Sequence, residues 1–292
     1  MSKISYKKIE GGLRTKGLFN KRSEPGKPLV SIITVCLNSE KYLKDTIQSV
    51  INQTYDNIEY IVIDGGSSDG TLDIIRKYED KIAFWKSERD KGIADAWNKG
   101  ILSSTGEIIG IINSGDWYEL DAVEYVVNIC VNNNSIDVVH GDRRQWNETG
   151  NQVKGIVTPA FKTNKSFLYT MPINHPTCFV SREIYKLYGL FNTIYKYSMD
   201  HEFFLRLWKN NLKFIYLEKV LANMRSGGVS YGLKGLKESK EIALSYGAKR
   251  SHVYLYYYKK LLLYYCRVFA DILRLRRFAG YCYRKINKRY RQ

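Results

Sequence analysis

The chain has 292 residues, room for one good core or a main domain with an appendage, and 44% of them are hydrophobic, an ordinary share for a globular protein. Its formal charge is +17, but residues 249–292 hold thirteen Lys or Arg against one acid, Asp271, and so account for +12 of it. A basic tail on a nearly balanced body argues against a chain that grips nucleic acid over its whole surface, and no charge-free apolar run approaches the ~18 residues that span a bilayer.

The cysteines, Cys36, Cys130, Cys178, Cys266 and Cys282, show no metal-ligand or redox spacing. They suit a reducing compartment, with Cys36 and Cys178 as small core residues. Residues 1–8 lack the apolar stretch of a signal peptide, so a protein in the cytosol, or resting on a membrane without crossing it, is expected.

Residues 1–28 are polar and basic, broken by Gly11-Gly12 and Pro25-Gly26-Lys27-Pro28, and read as a leader draped over the main domain. Residues 29–37 are mostly apolar and β-rich, the pattern of a strand buried on both faces. Over 39–52, Tyr42, Leu43, Ile47, Val50 and Ile51 recur at helical spacing, with Ser39 as a candidate cap and Glu40–Lys44 as an i,i+4 pair. A strand at 58–63, a helix at 71–78, a short strand at 82–85, a helix at 92–102 and a strand at 107–112 follow. This alternation predicts right-handed βαβ units on a parallel sheet, a nucleotide-binding type of architecture. From about 130 to 225 the pattern is less regular, with strands at 137–140 and 213–217 and helices at 182–187 and 200–209.

Acidic residues fall at the ends of these elements. Asp64 closes a strand in Tyr60-Ile-Val-Ile-Asp64-Gly65-Gly66-Ser-Ser-Asp69-Gly70-Thr71, and Asp116 follows another in Ile111-Ile-Asn113-Ser114-Gly115-Asp116. Asp200 opens a helix in Ser198-Met-Asp200-His-Glu202. Open α/β sheets bind ligands at the carboxyl ends of their strands, where a carboxylate can hold a metal, a ribose or a proton in transit. The pattern points to an enzyme acting on a phosphorylated, metal-chelating substrate. Each acid also has a structural reading: Asp69 and Asp200 as helix caps, Asp116 as a turn residue. The spacing Gly-x-Gly-x-x-Gly is absent, which removes the dinucleotide fingerprint. Asp200 and Glu202 diverge by about 200° on a helix, so only one of them can face a given cleft. His175, in Pro172-Ile-Asn-His175-Pro176, is either structural or a contact for an acceptor, a phosphate or a metal. Lys91, beside Gly92 at a βα junction, is either solvated or reaches a diphosphate.

Taken in order, these segments resemble family 2 glycosyltransferases of the GT-A fold, and within them the branches tied to colanic acid, capsule and O-antigen synthesis. Val30-Ser-Ile-Ile-Thr-Val-Cys-Leu-Asn38-Ser-Glu40 is similar to the family's opening strand and Asn-x-Glu turn, and Ser49-Val-Ile-Asn-Gln53-Thr54 to its Ser-x-x-x-Gln-Thr segment. Asp64-Gly-Gly-Ser-Ser-Asp-Gly-Thr resembles Asp-Asp-Gly-Ser-x-Asp-Gly-Thr, with Gly65 at the second acid. Gly92-Ile-Ala-Asp-Ala-Trp-Asn-Lys-Gly resembles the Gly-x-x-x-Ala-x-Asn-x-Gly helix, and Asn113-Ser-Gly-Asp116 stands at the Asp-x-Asp-type metal motif, keeping its last acid. His175-Pro-Thr, Met199-Asp200-His-Glu202 and Met224-Arg-Ser-Gly-Gly228 resemble the acceptor-side His, the general-base motif and the closing segment.

The resemblance implies an α/β GT-A domain, a mixed, mainly parallel sheet flanked by helices, over 29–230, between the leader (1–28) and a basic helical extension (231–292). It implies an inverting transferase with Asp200 as general base. Thr34, Val35, Asn38, Glu40, Asp64, Gly65, Lys91, Gly92, Ser114 and Asp116 fall on the nucleotide-sugar side, with Mg²⁺ or Mn²⁺ on Asp116. His175 and Glu202 fall on the acceptor side, the acceptor being a lipid-linked or oligosaccharide hydroxyl. Residues 249–292 interleave Tyr254, Tyr256, Tyr257, Tyr258, Val268, Phe269, Leu273 and Leu275 with Arg267, Arg274, Arg276, Arg277, Arg284 and Lys285, which suits an anionic membrane surface at the cytoplasmic face of the inner membrane. A helical pair packed on the domain is the plainer reading. A catalytically inactive sugar-nucleotide binder and a nucleic-acid-binding tail are the rival functions, although no nucleic acid is expected as a partner.

Overall fold

The computed structural model of the protein describes residues 9–133, 136–160, 166–228, 232–272 and 290–291. A short edge strand, β1 (Ile9–Gly11), is followed by an alternating series: β2 (Val30–Cys36), α1 (Leu43–Ile51), β3 (Ile58–Asp64), α2 (Thr71–Lys77), β4 (Phe84–Ser87), α3 (Ile93–Ser103) and β5 (Ile108–Asn113). The less regular half holds β6 (Trp117–Tyr118), α4 (Ala122–Val131), β7 (Val138–Trp146), β8 (Val153–Val157), α5 (Ser166–Tyr169), β9 (Phe179–Ser181), α6 (Arg182–Tyr188), α7 (Met199–Lys209) and β10 (Phe214–Arg225). Two helices, α8 (Leu233–Ser245) and α9 (Arg250–Ile272), and a short strand, β11 (Tyr290–Arg291), complete the described chain.

The sheet runs β1-β4-β3-β2-β5-β9-β7-β10-β6, with β8 on β7 and β11 on β8. Strands β4, β3, β2 and β5 are parallel, as the alternation predicts. Strand β9 runs antiparallel to both β5 and β7, while β7 and β10 are parallel, so the sheet is mixed. Every residue of β2 is buried because both faces of the sheet are covered. Val30 and Ile32 share a core with Leu43, Ile47 and Val126; Ile33 and Val35 share the other with Trp97 and Phe204. Cys36 and Cys178 are core residues, as expected.

The chain leaves β2 for β3 and β4 on one side and returns to β5 on the other. The carboxyl ends of β2 and β5 therefore part at a topological switch point, where an open α/β sheet leaves a crevice.

Several local expectations shift. Helix α1 starts at Leu43, because the Ser39 carbonyl first accepts from the amides of Tyr42 (3.0 Å) and Leu43 (2.9 Å) in a turn. Glu40 accepts from the Gly70 amide (3.2 Å), so its carboxylate is fastened to the neighbouring loop instead of pairing along α1. Strand β10 is far longer than 213–217: past an irregularity between Leu217 and Ala222 it re-enters register with β7 and carries Met224 and Arg225 to the crevice. The leader enters the sheet from Ile9, where β1 pairs with β4, and Arg14 reaches the Glu59 carboxylate (3.2 Å). Residues 1–8, the boundary at 229–231 and the tail positions Leu273, Arg274, Leu275, Arg276, Arg277, Arg284 and Lys285 lie outside the described residues. Among the described residues, no helix is long and apolar enough to cross a membrane.

Candidate active site

A cleft of about 690 Å³ opens at the switch point, with Val35 and Cys36 from the end of β2 and Asn113, Ser114 and Asp116 from the end of β5. Gly115 makes the turn possible, since its φ of 99° lies in the left-handed region. The buried Thr46 of α1 ties the turn at both ends: its hydroxyl accepts from the Gly115 amide (3.0 Å) and donates to the Asp116 carbonyl (2.7 Å). The Asp116 carboxylate accepts from the Arg225 amide (3.1 Å). Burial pushes this carboxyl up to about 7, against the pull of that hydrogen bond and of Arg143 and Arg225. Arg225 itself lies between the rings of Tyr42 (4.9 Å) and Trp117 (4.7 Å), donates to the Gly115 carbonyl (2.5 Å) and pairs with Asp45 (2.8 Å).

Asp200 faces the same cleft from the first turn of α7. Burial raises its carboxyl to about 6, opposed by the hydrogen bond that it accepts from the His201 amide (2.8 Å). The cap position belongs to Ser198, and no side chain of α7 caps the helix. Glu238 of α8 braces the stretch just ahead of the helix, accepting from the amides of Lys196 (2.9 Å), Tyr197 (2.7 Å) and Ser198 (2.9 Å). The Asp200 carboxylate, with one oxygen on the His201 amide of the first turn, still lines the cleft. In the same lining, the imidazole of His175 stacks on Trp97 with centroids 4.2 Å apart, and the Trp97 indole donates to Asn113 (3.0 Å). Burial holds His175 down at about 3, so it meets a ligand as a neutral ring and cannot pair with phosphate as a cation.

Of the residues assigned to the site from the sequence, Val35, Gly92, Ser114, Asp116, His175 and Asp200 line the cleft. The others are placed elsewhere. Thr34 is fully buried behind it, accepting from the Tyr60 hydroxyl (3.1 Å). Asp64 is also fully buried, with its carboxylate turned inward onto the Gly66 and Ser67 amides (3.2 and 3.0 Å) and the Ser87 hydroxyl (2.6 Å). Asn38 and Glu40 fasten the loop after β2 to the start of α2, through the amides of Ser68 (2.9 Å) and Gly70 (3.2 Å). Asp69 accepts from the Thr71 amide (3.0 Å), the structural part expected of it. Gly65 lies under the Asp90 carboxylate, and Lys91 is exposed outside the lining. Glu202 points away from the cleft, paired with Arg206 (3.1 Å) and accepting from the Tyr246 hydroxyl (2.5 Å).

Residues 31–189 match the sequence model of the family described as Glycosyl transferase family 2. The chain belongs to glycosyl transferase family 2. This transferase is 31% identical over 216 residues to an uncharacterized glycosyltransferase of Haemophilus influenzae, covering 73% of this chain and 85% of that one. It is 29% identical over 217 residues to the chondroitin synthase of Pasteurella multocida, covering 73% of this chain but only 22% of the synthase. In fold it is similar to S. aureus TarS 1–349 solved with UDP-GlcNAc, at a TM-score of 0.62 and 20% identity over 77% of this chain and 69% of that one. A mannosyltransferase from Pyrobaculum calidifontis, solved with GDP-Man and Mn²⁺, aligns at a TM-score of 0.52 and 18% identity over 72% and 61% of the two chains.

The cleft and its supports include residues that sequence reasoning passed over. Arg225 was legible only as part of a Gly-rich closing segment, and Trp97 as one more apolar residue on the inner face of α3. Nothing in the polar run of α8 marks Glu238. For a metal, the donor set is spare: among the described residues no group of three His, Cys, Asp or Glu could hold an ion. Asp116 offers one carboxylate with its Oδ1 already hydrogen-bonded to Arg225. A hard cation such as Mg²⁺ or Mn²⁺ fits here when diphosphate oxygens and water complete its shell.

Proposed function

We propose that this family 2 transferase moves a sugar from a nucleotide-diphosphate sugar to a hydroxyl of a growing, lipid-linked surface polysaccharide, with inversion at the anomeric carbon. The observation that carries the reading is the pair of carboxylates, Asp116 at the end of β5 and Asp200 at the start of α7, on one cleft at the switch point. Asp200 takes the proton of the acceptor hydroxyl as its oxygen attacks C1. The bond from C1 to the phosphate oxygen breaks, and its electron pair leaves with the nucleoside diphosphate. A carboxyl raised to about 6 is still ionised at neutral pH yet basic enough to accept that proton. Mg²⁺ or Mn²⁺ on Asp116 and the donor diphosphate would supply charge neutralisation for the leaving group. The neutral His175–Trp97 pair, on the same cleft as the two acids, gives the sugar a flat, weakly polar wall.

Helix α9 suits a place on the cytoplasmic face of the inner membrane. Leu255, Tyr258, Leu262, Tyr265 and Phe269 are exposed along it, Leu255 by 71%, with Lys259 and Lys260 among them.

Thermal-shift titration with UDP-, GDP- and dTDP-sugars, with and without Mn²⁺, tests the donor site, and the Asp200→Asn variant tests the base. The expected result is a metal-dependent rise for one nucleotide, retained in the variant, with transfer down by about 10²–10⁴-fold. No shift with any nucleotide, or turnover surviving in Asp200→Asn, refutes the assignment.

A further inference from the structure

The loop after β3 contains a glycine with no backbone reason to be one. Gly66 and Gly92 have positive φ, at 87° and 121°, but Gly65 does not. What crowds position 65 is a neighbour: a Cβ there would stand 2.3 Å from Oδ2 of Asp90 and 3.1 Å from its Cγ, so a side chain at 65 would push the Asp90 carboxylate from its place. The carboxylate of Asp90 thus occupies the space that the first atoms of a residue-65 side chain would fill, and Asp90 itself lines the cleft.

Its position is braced from several sides. Oδ1 accepts from the Gly92 amide (2.8 Å) at the start of α3. The loop that carries it is held to the Asp64 loop by the Ser87 hydroxyl on Asp64 (2.6 Å) and the Glu88 amide on the Asp64 carbonyl (3.1 Å). Lys99 donates to the Arg89 carbonyl (3.2 Å) and is neutralised by Glu88 (3.1 Å) and Asp95 (3.2 Å), so it does not reach Asp90. Among the described residues nothing donates to Oδ2. Beside it Leu37, 54% exposed and also in the cleft lining, comes within 3.4 Å of the same notional Cβ. An acceptor that donates nothing, next to an exposed aliphatic ledge, at the β3–β4 end of the cleft, matches the edge and face of a nucleobase.

We infer that Asp90 reads the base of the donor nucleotide, its Oδ2 accepting a ring N–H while the ring lies on Leu37, and that Gly65 is small to admit it. The inference rests on the nucleotide-sugar reading above. A carboxylate accepts and does not donate, so it favours bases with a ring N–H on the pairing edge, namely uracil, thymine or guanine. Cytosine and adenine present a ring nitrogen lone pair there and are disfavoured.

Calorimetric titration with UDP, dTDP, GDP, CDP and ADP in Mn²⁺ tests this on wild type, Asp90→Asn, Asp90→Gly, Gly65→Asp and the Gly65→Asp/Asp90→Gly pair. Wild type should prefer a ring-N–H base. Asp90→Gly should bind it roughly 10- to 100-fold more weakly, the loss expected for a hydrogen bond to a charged group. Asp90→Asn, whose amide can also donate, should narrow the gap to CDP and ADP. Gly65→Asp should bind poorly because its Cβ meets Asp90, and the double variant should recover by supplying the carboxylate from position 65. Unchanged base preference in both Asp90 variants, or no recovery in the double variant, overturns the assignment of Asp90 while nucleotide binding by wild type stands. If wild type binds none of the five, the nucleotide reading falls, and the base reading with it.

Discussion

Asp200 is a carboxyl held at about 6 by burial, where its ordinary value is ~3.9. For chemistry, the ionised form is the proposed base, so transfer should climb as pH rises through about 6. For stability the sign is opposite. A folded-state value above the unfolded one contributes stability that is complete below ~4 and lost as pH rises through 6, so at pH 8 the buried charge weighs against the fold. Asp200→Asn should therefore unfold later than wild type at pH 8, by about 1–2 kcal/mol, and lose that advantage at pH 4. Urea titrations at the two pH values measure it. Asp64 shows what the sequence leaves out at this scale. Its place at a strand end is legible, but the loop folds back and turns the carboxylate onto the Gly66 and Ser67 amides, away from the cleft. Glu202 repeats the lesson: helical spacing separates it from Asp200, but only packing decides which of the two faces the ligand.

Among the elements, the pairing of α7 with α8 matters most for the chemistry. Glu238 gathers three successive amides just ahead of the first turn that carries Asp200, and so pins the entry of the chain into α7. Glu238→Ala should cost about 2 kcal/mol of stability. It should also lower transfer more than donor binding, because the start of α7 loosens while the β2 and β5 turns stay in place. Comparing kcat with the Kd for the nucleotide separates the two effects. Strands β2, β3 and β5 were readable because burial on both faces leaves mostly apolar, β-rich runs, interrupted only by buried polar residues such as Thr34 and Glu59. The middle of β10 was not, since Glu218 and Lys219 interrupt a half-exposed strand just where its register with β7 shifts. Helix α8 offered no clue either, as its main contact to the site is one carboxylate on partners some forty residues away.

At the scale of the whole molecule, the catalytic domain and the C-terminal helices form one packed unit up to the start of α9: Ala243, Ala248 and Val253 bury against Leu168 and Tyr169. Beyond that contact α9 exposes Leu262 by 65% and Phe269 by 63%. If this surface meets lipid, the protein should co-sediment with anionic vesicles, release as salt rises, and lose the property when residues 250–292 are removed. Sedimentation unaffected by that truncation refutes the membrane face. Trp97, finally, joins the two walls of the cleft, its indole N–H on the turn that precedes Asp116 and its ring face on His175. The molecule thus has a fluorophore built into the centre of its own site. Its emission depends on that hydrogen bond and on that stacked ring, so filling either wall alters the light it gives, and Trp97→Phe identifies the signal among the five tryptophans of the chain.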